Sequence, residues 1–249
     1  YVFGGYLSNE KINDHIEISN NSQKKQIPFE ILLPNEYRDW ENKNPSSKLN
    51  QNWQELYQKG GKYYLDKADY TIKKGYSECS GDSTRIIQSK RKTLLFINDS
   101  NLNSGEIYSK IINKNKVWPK EKILFSYKNI EYKIRAEGEI ISSEEVHSDK
   151  GLEFYANVKN YKLYISTNNN FESLFLEELG FNDTFVKLLF VGDIDSDGKL
   201  DFIFEANRDY EEERVILYLS SKATQTEIIK KVGEIAIQFD CWIITKNYC

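Results

Sequence analysis

With 249 residues, 39% of them hydrophobic and 14% aromatic, the chain is long enough to bury one large core or two small ones. Four prolines and 13 glycines exclude a collagen-like or linker-dominated chain, and 29% charged residues of both signs fit a folded surface better than disorder. The net charge of −4 excludes the basic footprint with which nucleic-acid-binding proteins displace counterions. No apolar run approaches the roughly 18 residues of a transmembrane segment.

Tyr1, in place of an initiator Met, is expected of a mature or truncated chain, a form compatible with the removal of an export signal. Residues 1–52 read as a polar, Asn/Lys-rich segment that is partly strand, with one apolar run from Ile27 to Leu33 cut by Pro28 and Pro34. Asn42 to Asn52 has loop composition, with Pro45, Ser46 and Ser47. Trp53 to Tyr57 reads as a short helix ended by Gly60-Gly61.

From residue 53 to 249 the pattern predicts a β-rich globular region, with a split near residue 150 as an alternative organisation. Tyr63, Leu65, Tyr70 and Ile72 alternate with polar residues, and Thr93 to Ile97 is an apolar run closed by the turn cluster at Asn98–Asn101. Lys122 to Tyr127 and Tyr132 to Ala136 flank Lys128-Asn129 in the manner of a hairpin. Tyr161 to Ser166 alternates again, before a turn at Asn168–Asn170. Phe171, Leu174, Phe175 and Leu179 are spaced for one face of a helix over Glu172 to Leu179, with Gly180 as its stop. Thr226 to Lys231 reads as a second short helix or as the end of a strand. The predicted fold is therefore mainly β: antiparallel strands with one or two short helices.

Acid is concentrated in one place. From Val191 to Arg214 there are nine carboxylates and three basic residues. A bound cation is the simplest reason to tolerate that repulsion. Within the stretch, Asp193, Asp195, Asp197, Lys199 and Asp201 occupy positions 1, 3, 5, 7 and 9 of a calcium loop, with Gly198 at position 6. Calcium takes six to eight oxygens in a flexible shell, so a tight loop must turn alternate groups inward. Gly198 permits the sharp turn, Lys199 would offer its backbone carbonyl, and Asp201 would close the shell directly or through water. An EF-hand would place Glu at position 12, where Phe204 stands, and would be flanked by helices. Here Phe185 to Val191 and Phe202 to Phe204 read as strands, so the loop is predicted to join a β-hairpin. The competing reading is an acidic surface turn that binds nothing, in which four carboxylates would repel one another.

Gly192 to Phe202 resembles the calcium loop of FG-GAP or VCBS-type repeats, which occur in integrin propellers and in many exported bacterial proteins. The resemblance covers about thirty residues of the 249 and a single copy, where a propeller needs several. It implies calcium held between two strands in a secreted, periplasmic or cell-surface protein.

Other chemistry is weakly signalled. Cys79, Cys241 and Cys249 form no Cys-x-x-Cys pair, and with only His15 and His147 beside them they argue against zinc. Cys241–Cys249 and Cys79–Cys241 are alternative bridges, and three reduced thiols are a third option. His147 lacks the partners of a catalytic triad, and Cys79 beside Glu78 is a poor nucleophile because a negative neighbour raises a thiol's pKa. Asp209 is a candidate for extending the calcium shell. Tyr57, Tyr63, Tyr64, Tyr70 and Tyr76 read as half-buried strand residues, or as a face for a protein or glycan partner. The expectation is an exported calcium-binding protein, acting as a binding or cell-envelope module. The alternatives are a secreted or periplasmic hydrolase with a dispersed site, and a structural module of a larger assembly.

Overall fold

Runs of alternating and β-branched or aromatic residues make strands of most of the described residues. The computed structural model describes residues 29–39, 44–78, 80–99, 101–148, 151–168 and 171–239. In chain order its strands are β1 (Glu30–Leu32), β2 (Glu36–Arg38), β3 (Gln54–Lys59), β4 (Lys62–Lys67), β5 (Tyr70–Ser77), β6 (Asp82–Ser89), β7 (Lys92–Asn98) and β8 (Gly105–Ser109). They continue with β9 (Lys122–Tyr127), β10 (Ile130–Ser148), β11 (Gly151–Thr167), β12 (Phe171–Gly180), β13 (Lys187–Asp193), β14 (Asp201–Glu205), β15 (Glu212–Leu219) and β16 (Lys230–Gln238).

Nine of them form one antiparallel sheet in the order β1-β7-β3-β4-β8-β13-β14-β15-β16. This sheet curls until its two edges nearly meet: Gly233 of β16 lies against the Ile31 side chain of β1. Near-closure shields edge strands that would otherwise recruit other chains. A second sheet, β12-β11-β10-β9, and a third, β2-β6-β5, complete the fold.

Two apolar cores follow. The interior of the curled sheet is filled by Trp53, Leu56, Leu65, Leu95, Ile97, Phe190, Ile203, Val215 and Leu217. The four-stranded sheet packs over the outer face of β13 to β15, where Tyr132, Ile134, Leu163, Ile165 and Phe175 meet Leu188, Phe202, Phe204, Ile216 and Tyr218. β13, β14 and β15 are thus buried on both faces. That is why their sequences are nearly continuous apolar runs rather than alternating ones.

The predicted helices are corrected to strands. Glu172 to Leu179 lies within β12, paired with β11. The register slips between Leu163 and Tyr164, so that Leu163 faces Leu176 and Tyr164 faces Leu174. Phe175 is the inserted residue of that bulge, and it is buried together with its neighbour Leu176. One extra residue in a strand converts period two into a spacing that imitates one helical face. Gln54 to Tyr57 lie within β3, with Trp53 just before it, and Gly60-Gly61 is the two-residue hairpin turn to β4. Both glycines have positive φ, 60° and 81°, as a type I′ turn requires. Thr226 to Lys231 leads into β16, which begins at Lys230. Among the described residues the only helical element is a 3-10 turn at Pro45–Lys48, capped by Asn44, within the stretch of loop composition. No described helix is long and apolar enough to cross a membrane.

β10 and β11 form a long hairpin. β9 pairs with β10 only as far as Arg135, and β12 with β11 only as far as Lys159. Beyond that level the hairpin continues as a two-stranded ribbon to the Ser148–Gly151 pair. Ile141, Val146, Leu152 and Tyr155 are exposed along it.

Candidate metal centre

The acidic loop joins two strands whose positions are set by both cores. β13 and β14 are antiparallel neighbours, with Gly192 opposite Asp201, so the loop is the hairpin connection that its flanks predict. Gly192 is required for packing. A Cβ there would overlap the Tyr108 carbonyl oxygen of β8 and the Phe190 ring. Within the loop, Gly198 (φ 86°) and Ser196 (φ 62°) take up the left-handed turns.

Asp193, Asp195 and Asp197 converge, each offering a carboxylate oxygen within 4.8 Å of the other two. Asp193 is buried at the mouth of β13. Its Oδ2 accepts hydrogen bonds from the Tyr127 hydroxyl (3.0 Å) and the Gly198 amide (3.1 Å). Its Oδ1 is buried and has no hydrogen-bond partner among the described residues. Asp195 Oδ1 accepts from the Asp197 amide at 3.3 Å, and its Oδ2 accepts from the Ser221 hydroxyl. Asp197 accepts from the Lys199 amide (2.8 Å) and the Ser220 hydroxyl (2.9 Å). Burial, and secondarily the charges of Asp197 and Asp193, push the Asp195 carboxyl above its ordinary range, against the Ser221 hydroxyl, which pulls it down.

Asp201 is placed differently. It is fully buried, and its two oxygens accept from the backbone amides of Ile194 (2.7 Å) and Ser220 (2.8 Å). It therefore clamps the start of the loop to the end of β15 and lies outside the convergent triad. Burial, then the charge of Asp195, raise its pKa well above the usual carboxylate range, although both amides work the other way. Lys199 contributes its amide to the loop's own hydrogen bonding, through Asp197.

Asp209 stands at the opposite end of β14 from this loop, in the turn before β15. There it accepts from Asn182 (2.6 Å) and from the Glu211 amide (2.9 Å). The strand between keeps it out of the triad's shell.

The tertiary structure adds residues with no local signal in sequence. Tyr127 arrives from β9 and is stacked on Tyr108 at 4.2 Å. Tyr132 of β10 accepts from the Leu200 amide at 3.1 Å. Ser220 and Ser221 arrive from the end of β15. Only the hairpin-like spacing around Lys128-Asn129 hinted that a turn would lie near Tyr127.

The other sequence candidates are dispersed. His147 is exposed near the tip of the ribbon, opposite Leu152. Tyr57 stacks on Tyr64, Tyr63 packs on Phe190 and Tyr70 on Phe96, whereas Tyr76 is exposed. A depression between β12 and β15 contains Glu177 and Glu178, but these pair with Lys162 and Arg214. A second, beside β9, is lined by Lys110, Ile111, Lys114 and Leu124 and contains no carboxylate. His15, Cys79, Cys241 and Cys249 lie outside the described residues, and with them the alternatives for disulfide pairing.

The chemistry of the triad is that of a hard cation: all-oxygen donors without imidazole or thiolate. Comparison with protein-family models, curated proteins and solved structures finds no match to this chain.

Proposed function

We propose that the chain is a calcium-binding protein, with the ion held by Asp193, Asp195 and Asp197. The carbonyl of Lys199 completes the shell, and Asp201 supports it from behind or through a water. The observation that carries this reading is the Asp193 Oδ1 atom. A carboxylate oxygen buried beside two other carboxylates, with no donor among the described residues, is costly unless a cation satisfies it.

Calcium suits the site better than magnesium. A loop that can offer three carboxylates and a backbone carbonyl matches the large oxygen shell of calcium, whereas magnesium demands a tight octahedron and keeps its waters. In this reading the ion is a staple for the β13–β14 hairpin, as in the FG-GAP and VCBS-type loops that the segment resembles. Extracellular calcium sites have Kd values of about 10⁻⁴–10⁻³ M, so a staple of this kind is filled outside the cell. In this reading the protein is an exported binding or cell-envelope module.

The test is a thermal melt of the purified chain in EDTA, in millimolar calcium and in millimolar magnesium. A ligand that binds only the folded state raises Tm by mass action. A rise specific to calcium supports the reading; identical melts in all three conditions overturn it.

A further inference from the structure

Lys128 occupies the turn between β9 and β10, with φ 49°. Its Nζ lies 3.8 Å from Asp193 Oδ2 and 4.9 Å from the centre of the Tyr127 ring. It also fills the space above Gly198: a Cβ on that glycine would come within 2.9 Å of the ammonium. The glycine thus serves two needs, the positive φ of the loop and room for a lysine from another sheet.

The contact has the character of a loose tether. At 3.8 Å the ammonium is beyond a normal hydrogen bond, and the side chain is more than half exposed. Asp193, by contrast, is buried and cannot leave. Three convergent carboxylates need positive charge in the folded state whether or not a metal is present.

From this we propose, resting on the calcium reading above, that Lys128 is the resident counter-cation of the site. In the metal-free protein its ammonium compensates the triad; calcium enters by displacing it into solvent. Lys128 then sets the affinity, because every ion bound must first replace a charge that the fold already supplies. The exchange also bears on the contact between sheets, since Lys128 belongs to the four-stranded sheet and Asp193 to the nine-stranded one.

The experiment is a calorimetric titration of calcium chloride into the wild type, Lys128→Met and Lys128→Arg, with parallel melts in EDTA and in saturating calcium. Methionine keeps the apolar stem and removes the charge. Lys128→Met is expected to bind calcium about two- to fivefold more tightly, the scale of a half-exposed unit charge near 4 Å after solvent screening. Its Tm is expected to fall in EDTA and not in calcium, while Lys128→Arg behaves as the wild type. A merely structural lysine would lower Tm equally in both conditions. Wild-type or weaker calcium affinity in Lys128→Met overturns the proposal and leaves the calcium site standing. Absence of binding in all three folded proteins overturns the calcium reading, and this proposal with it.

Discussion

The Tyr127 hydroxyl donates a 3.0 Å hydrogen bond to Asp193, joining the edge strand of the four-stranded sheet to the mouth of the acidic loop in the nine-stranded one. Burial first, then this hydrogen bond and the charge of Asp193, push the Tyr127 phenol up to about 12. The phenol therefore stays a donor across the neutral range. Tyr127→Phe removes that donor from a buried carboxylate and is expected to cost about 1–2 kcal/mol in EDTA. Urea unfolding measures it, and an unchanged midpoint would show that the contact contributes nothing.

Asp195→Ala is expected to abolish the calcium-dependent rise in Tm while barely changing the melt in EDTA. Asp195 is the half-buried member of the triad, between buried Asp193 and exposed Asp197, and its removal relieves repulsion with both. An equal loss of Tm in chelator would mean that the side chain supports the fold and not an ion.

Phe175 is the bulged residue of β12, with its ring 5.3 Å from Phe202, 4.9 Å from Phe204 and 4.6 Å from Tyr218. Phe175→Ala opens a cavity beneath the strands that carry the loop and is expected to cost about 3–5 kcal/mol. A loss below about 1 kcal/mol in chemical denaturation would contradict this packing.

Arg214 lies between Glu178 and Glu234, with Glu234 at 2.5 Å. Burial works to raise the Glu234 carboxyl, but Lys231 and Arg214 outweigh it and leave it below its ordinary range. A carboxylate depressed in the folded state adds stability that is complete above its unfolded pKa, about 4.3, and is lost as pH falls through the lower folded value. Tm of Glu234→Gln should therefore converge on that of the wild type as pH drops below about 4. Curves that stay parallel across that window would remove Glu234 from the acid response.

The β class, the hairpin on either side of the acidic loop and the Lys128-Asn129 turn were legible from residues near one another in the chain. Continuous apolar runs in β13 to β15 and the Asp-x-Asp-x-Asp-Gly spacing are local signals, because strand pairing across a short loop and oxygen convergence in a tight turn both act over a few residues. Glu172 to Leu179 misled because one bulged residue, Phe175, replaced period two with a helical spacing. Nothing local in the sequence reports where a register slips, since the slip is decided by the ring pocket formed by Phe202, Phe204 and Tyr218. The same holds at the site. The sequence by itself determined which carboxylates lie in the loop. Only the tertiary structure decided that Asp201 turns to the backbone of Ile194 and Ser220, and that Tyr127 and Lys128 reach Asp193. Ile194 is a neighbour within the loop, but Ser220, Tyr127 and Lys128 come from about 20 to 65 residues away in the chain, and they are placed by the packing of strands and sheets rather than by spacing along the chain.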